Sequence, residues 1–392
     1  MTATPAPASP RALDAPAPRS LFASPLVAFA FGLLLFAATQ RAGALAVWTT
    51  GAFTDTDDAL RMVQLREWLS GKSWFDAAAP RMGGFRLHWS HVIDLPLAAL
   101  LGLFGVILDP VHAERAARLA FPFLCFAAAL AALIAASRRL AGPAAGLAAA
   151  LLAPTSLFVV QFRAGRIDHH GPQILLLILV VAATLAALDP RRARAGWLAG
   201  ALCALSLAIS VENLPFLAAA AAIFGLAAAL DPRHGGAARR FGVSFALATA
   251  AFWAIFADRA AGPVCDAIST FHVAAASLGG LGLALFGLPS PRLPPLARAA
   301  LLGTLGGATL AMARLAFPRC LADPLADLPP VMVEHWLSQV REARPLAALW
   351  AHDKALVLAI AGPLLAALAV ALLAARRALI GEEDADPATA RA

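Results

Sequence analysis

Apolar residues run along this chain in blocks of about twenty, at 25–47, 116–136, 144–162, 173–188, 196–211, 214–230, 241–257, 272–288, 297–315 and 355–374. A stretch of that length covers the roughly 30 Å of a bilayer's hydrocarbon as a helix. The pattern predicts an all-α integral membrane protein of about ten transmembrane helices. A further block, 93–108, is shorter and broken by Pro96. It reads as an interfacial helix inside a long first external loop.

Composition agrees: 60% of the residues are hydrophobic, 14% are charged and mean hydropathy is +0.75. Soluble domains carry about 25% charged residues, so a soluble catalytic domain is excluded. The net charge of +7 does not signal nucleic acid, because the excess sorts by side of the membrane. Residues 1–24, the connections near 137–143, 189–195, 231–240 and 289–298, and the tail 375–392 hold roughly two basic residues for each acidic one. The remaining connections are balanced. Basic loops stay inside, which predicts cytoplasmic termini at both ends in a bacterial-type inner membrane. Residues 1–24 and 375–392 then form cytoplasmic tails, the first rich in Pro and Ala and expected to be disordered, around a transmembrane domain at 25–374. The external, periplasmic face carries the loops 48–115, 163–172 and 316–353.

Nearly every unusual side chain lies in those loops. Thr54-Asp55-Thr56-Asp57-Asp58 opens a helical stretch that ends at Gly71. Three carboxylates in four positions repel one another unless a cation or a helix N-terminus compensates. The spacing fits a metal or phosphate–metal site, or an acidic cap with Thr54 or Thr56 as capping residue. Arg163-Ala-Gly-Arg166-Ile-Asp168-His169-His170-Gly171-Pro172 lies at the mouth of the next pair of spans. Pro172 suits a first helical turn and biases Gly171 away from helix. In an extended segment Asp168 and His170 would then share a face while His169 points elsewhere. Carboxylate oxygens with one imidazole favour Mn2+ or Mg2+, and Arg163 and Arg166 would hold phosphate beside it.

Glu212, at the end of a span, fits either an ion pair with an arginine or chemistry. Periodic Val333, Trp336, Leu337 and Val340 predict a short surface helix near Glu342. His88 and His91, beside Trp74, Trp89 and Asp94, read as part of an interfacial aromatic belt. Cys265 and Cys320 both fall in external loops, where an oxidising compartment would permit a disulfide that spacing alone does not establish.

An Asp cluster after the first span, an Asp/His motif after the third and a Glu-bearing loop before the last together resemble the GT-C superfamily of membrane glycosyltransferases. The match is nearest to the membrane half of archaeal and bacterial oligosaccharyltransferase catalytic subunits. Thr56-Asp57 resembles the first-loop motif, whose Asp ligates the metal, with Asp55 and Asp58 as neighbours. Asp168-His169-His170 resembles the second motif, in which the Asp and second His are ligands. Glu342, three residues before Pro345, resembles the glutamate of the loop that orders over donor and acceptor, although the Ser-Val-Ser preceding it is not kept. No WWDYG sequence occurs, so the acceptor-reading part of that family is missing and the acceptor stays open between protein, glycan and lipid.

The resemblance implies transfer of a sugar or oligosaccharide from a polyprenyl-phosphate or diphosphate donor on the external face. Asp57, Asp168 and His170 would hold the divalent cation, and Asp57 or Glu342 would act on the acceptor, with His169 and Glu212 as further candidates. A transporter or flippase of a lipid-linked or anionic substrate is the alternative, although no internal repeat of the kind such proteins show is evident.

Overall fold

The computed structural model describes residues 24–79, 85–87, 89–288, 293–322, 330–335, 337–340 and 345–380. The chain divides into two compact units after Pro324, where a single transmembrane domain over 25–374 was expected. The first unit holds α1 (Pro25–Thr50), α2 (Thr56–Leu69), α3 (Asp94–Gly105), α4 (Pro110–Leu152), α5 (His170–Ala187), α6 (Ala195–Ile209), α7 (Leu214–Leu230), α8 (Gly235–Phe256), α9 (Thr270–Phe286) and α10 (Pro295–Ala316). Its one small ribbon pairs β1 (Ala78–Ala79) with β2 (Phe85–Arg86), Ala78 opposite Arg86. The second unit holds α11 (Pro330–His335), α12 (Leu346–His352) and α13 (Lys354–Ile380).

Helix follows the apolar blocks because a backbone in hydrocarbon must satisfy its own hydrogen bonds. Among the described residues, five segments are long and apolar enough to cross a membrane: Pro25–Thr50, Pro110–Thr155, His170–Ala187, Pro295–Ala316 and Lys354–Leu373. α6, α7 and α9 are equally apolar but have 15 to 17 residues, about 23–26 Å at 1.5 Å per residue. α8 reaches 22 residues but carries Arg239 and Arg240. α3 has 12 residues and is too short to span.

α4 is broken where the sequence places Gly142 before Pro143. Ala141 and Gly142 leave helical geometry, Gly142 at φ +79°, and the chain doubles back beside Arg138 and Arg139. Helices α6, α8 and α9 approach closely enough that a Cβ on Gly242 would collide with the Gly280 carbonyl, the small-residue contact by which membrane helices associate. Apolar side chains pack inward around Phe224 and Phe241, around Phe36 and Phe126, and around Met62, Leu97 and Ile167.

The connections of the first unit meet at two opposite ends. At one end the segment after α1 touches that before α5, and Trp74 Nε1 donates to Ile255 O at 2.6 Å. At the other, His234 donates to Leu188 O at 2.9 Å and Arg298 to Ala228 O at 3.3 Å. Cys265 and Cys320 form a disulfide that ties the connection after α8 to the one after α10, at the first of these ends.

Candidate functional site

The polypeptide leaving α1 is held by cations at the helix's negative end. Arg115 donates to Trp48 O at 2.8 Å, Arg118 donates to Gly51 O at 3.0 Å and to Ala52 O, and the Arg118 guanidinium lies 3.7 Å from the Phe53 ring centre. This delivers Thr54 to the 163–170 segment, where its hydroxyl donates to Ala164 O at 2.9 Å. Gly165 makes that approach feasible: its φ is +91°, and a Cβ there would sit 2.8 Å from Thr54 Oγ1.

Asp55, not Thr54 or Thr56, caps α2. Its Oδ1 accepts the Asp57 backbone N–H at 3.2 Å and its Oδ2 accepts from Arg166 at 2.8 Å. Burial would raise the Asp55 carboxyl, but the capping bond and the guanidinium outweigh it and hold it below the ordinary range. Asp58 is fully buried, and its Oδ1 accepts the backbone N–H groups of Ile167 (2.7 Å) and Asp168 (3.2 Å). Burial pushes its carboxyl up to about 6, with the Asp168 carboxylate adding to the effect. Asp57 is half-buried; burial and the Asp55 and Asp168 carboxylates raise its carboxyl, partly offset by His169 and His170.

Asp168 is ion-paired to Arg166, and its Oδ1 accepts the His170 backbone N–H at 3.0 Å at the start of α5. Arg166 also donates to Gln161 Oε1 at 3.0 Å. Burial works against the charge of Arg166, yet Asp168, Asp58 and Asp55 raise its guanidinium further. Arg163 is exposed and takes no part in these ion pairs.

The expected geometry of Asp168 to His170 is corrected. His169 is helical (φ −84°, ψ −15°), so the segment turns into α5 instead of running extended. The two imidazoles consequently converge, with ring centres 4.3 Å apart. His169 Nε2 donates to Glu212 Oε1 at 2.9 Å and His170 Nδ1 to Glu212 Oε2 at 3.1 Å. Glu212 pairs with these two imidazoles, not with an arginine; its side chain is 46% exposed and reaches over both rings. Burial would raise its carboxyl, but the two imidazole hydrogen bonds hold it far below the usual range.

A buried amide–hydroxyl network fixes Glu212's loop. Asn213 Nδ2 donates to Gln173 O and Oε1 (2.9 and 2.7 Å) and to Ser206 Oγ (3.1 Å), while Gln173 Nε2 donates to Ser206 O and Ser210 O (3.0 and 2.8 Å). Gln173, Ser206, Ser210 and Asn213, with Gln161, are not picked out by the sequence, whereas Thr54 and Trp89 are, but as a possible cap and as part of an aromatic belt. The only sequence signal of the first five is a polar side chain within or beside an apolar block.

The tightest set of ligand atoms among the described residues is therefore His169, His170 and Glu212, all within 4.8 Å of one another. Asp57 and Asp168 face the same place but do not join that set, because the Asp168 carboxylate is committed to Arg166 and the α5 start. Two imidazoles and a carboxylate suit a divalent transition ion, and the carboxyl raised at Asp57 is acidic charge that such an ion would offset. Glu342 and its neighbours 341–344 lie outside the described residues, as do His88 and Trp336.

An apolar groove lies along α1, α3 and α4, walled by Phe36, Trp48, Leu103 and Phe123, with Gln40 and Ala164 also in its lining. Gln40 Oε1 accepts the Ala164 N–H at 3.2 Å. Ala164 in turn lies two residues before Arg166 in the chain. No family model, no curated protein and no solved structure matches the chain.

Proposed function

We propose that this membrane protein is a divalent-cation-dependent glycosyltransferase that takes a sugar or oligosaccharide from a polyprenyl-phosphate or diphosphate carrier. The observation that carries the reading is the docking of 54–58 onto 163–170, with Glu212 closing over both histidines, beside an apolar groove. Acids, imidazoles and a fixed guanidinium close in sequence to an apolar groove are the chemistry an anionic lipid head group needs.

In this reading the carrier chain lies along α1, α3 and α4, and Arg166 meets its phosphate. His169, His170 and Glu212 hold the ion, with Asp57 and Asp168 at its edge. When bound, the ion neutralises negative charge growing on the leaving phosphate. Asp57, whose carboxyl is already raised, hydrogen-bonds the acceptor hydroxyl or amide and takes its proton. The site face is external, since Arg191, Arg192, Arg233, Arg239 and Arg240 mark the opposite end.

The test is consumption of lipid-linked sugar by purified protein in nanodiscs, read as release of polyprenyl phosphate, with Mn2+ or with EDTA. Release that needs the ion and falls at least 100-fold in Asp57→Asn and His170→Gln is expected. Ion-independent movement of the intact lipid-linked sugar across the bilayer, with no release, would instead identify a flippase. Because Glu212 is itself a ligand in this reading, Mn2+ binding should weaken in Glu212→Gln by more than the roughly 10- to 100-fold that loss of a merely supporting group costs, as measured by isothermal titration.

A further inference from the structure

Beside the histidine–glutamate cluster, the segment 89–94 buries a second ionisable set. His91 is 4% exposed, and Asp94 and Arg61 are fully buried. His91 Nδ1 lies 2.5 Å from Asp94 Oδ2, and Arg61 approaches Asp94 Oδ1 at 3.4 Å. The aromatic-belt reading of His91 is thereby corrected: the ring is not at the surface but clamped by a carboxylate that a guanidinium shares.

That clamp decides what the other ring nitrogen can do. With Nδ1–H donated to Asp94, Nε2 carries a lone pair and accepts. It is buried and has no hydrogen-bond partner, an arrangement that proteins avoid unless a ligand or water completes it. His91 lines a cavity of about 70 Å3 together with Trp74, Trp89, Phe256, Arg86 and Asp258.

The walls are fixed. Trp74 stacks on His91 (ring centres 4.9 Å, planes 26° apart), its Nε1 is bonded to Ile255 O, and Phe256 lies 5.6 Å beyond it. Arg86 and Asp258 form an ion pair across the rim. Flat aromatic faces set against an imidazole acceptor, a guanidinium and a carboxylate are suited to a sugar ring. Its C–H face packs on an indole while its hydroxyls bond the polar groups.

The cavity adjoins the cluster through one residue: Trp89 lines it, and the Trp89 ring centre is 5.6 Å from that of His169. We infer that this cavity binds a neutral monosaccharide unit, its C–H face on the aromatic wall and its hydroxyls on the polar groups of the rim, with Asp94 positioning the His91 imidazole. Assigning that unit to the acceptor rests on the transferase reading; sugar binding itself does not.

Saturation-transfer NMR of the full chain in nanodiscs, with methyl glycosides of glucose, galactose, mannose and N-acetylglucosamine, tests it. At least one glycoside should show saturation, reduced fivefold or more in His91→Gln and in Trp74→Leu and unchanged in Arg194→Gln at the opposite end. If either cavity variant loses its wild-type melting temperature, the tryptophan emission of the wild-type protein decides, and the glycoside that binds should shift it. Failure of all four glycosides to bind, or binding that survives both substitutions or leaves the tryptophan emission unchanged, overturns the assignment. Sugar binding here without any release of carrier phosphate would refute the transferase reading and leave the cavity's assignment standing.

Discussion

Asp58 shows how a residue that looks catalytic in sequence can be an architectural one. Its Oδ1 accepts two backbone N–H groups of the 163–170 segment, while its Oδ2 is buried with no hydrogen-bond partner. The folded protein keeps the proton up to pH about 6, whereas the ordinary value is 3.8. A carboxyl raised on folding favours the folded state while protonated. Stability should therefore fall as pH rises through the window from about 4 to 6 and be level above it, a loss of about 3 kcal/mol at 1.36 kcal/mol per pH step. Asp58→Asn keeps the acceptor and removes the charge, so its melting temperature at pH 7 should equal or exceed the wild type's and be flat across that window. Asp58→Ala strands two buried N–H groups and should cost about 1–3 kcal/mol at every pH. Thermal unfolding in detergent from pH 4 to 8 reads both. The sequence exposed the three aspartates because acids beside an apolar block are conspicuous. It did not expose which of them faces inward, since that depends on a partner more than a hundred residues away.

The element that organises the site is the 163–170 connection, and its shape depends on Gly165. Positive φ and the Thr54 hydroxyl at contact distance leave no room for a side chain. Gly165→Ala should lower stability by about 1–3 kcal/mol, the usual cost of backbone strain at such a position, and should displace 54–58 from 163–170. The displacement would appear as weakened Mn2+ binding in titration even though no ligand atom has changed. Helices themselves were legible: the apolar blocks, Gly142-Pro143 at the break in α4 and the short reach of α3 all follow from local chemistry. The turn at His169 was not, because the pre-proline bias of Gly171 was extended to its neighbours, whereas α5 already begins at His170. That single difference in local conformation breaks the expected pairing of Asp168 with His170, which together with Asp57 made up the expected ligand set, and brings His169, His170 and Glu212 together instead. Nor does a glutamine or an asparagine within or beside an apolar block name its partner. The Gln173–Ser206–Asn213 network that positions Glu212 emerges only when α5 and α6 are packed side by side.

At the scale of the first unit, two independent features bear on which end faces the cytoplasm. The end that gathers Arg191, Arg192, Arg233, Arg239 and Arg240 is the one the positive-inside rule retains in the cytoplasm. The other end carries the candidate site and the Cys265–Cys320 disulfide, and disulfides persist where the compartment is oxidising. Neither argument uses the other's residues, and both agree with the orientation proposed above. With the site external, the cysteine pair should be oxidised in cells and resist a membrane-impermeant maleimide until a reductant is added. It should also stay reduced in a host lacking its periplasmic disulfide-forming enzyme. A single cysteine placed at Arg192 in a background with Cys125, Cys203, Cys265 and Cys320 all replaced by Ser should be labelled only after the membrane is permeabilised, whereas one placed at Arg163, exposed on the site face, should be labelled in intact cells. The reverse pattern would put the carboxylate and histidine cluster in the cytoplasm. The substrate would then be drawn from a nucleotide-rich compartment instead of from a carrier already turned outward, and the lipid-linked donor would lose its main support.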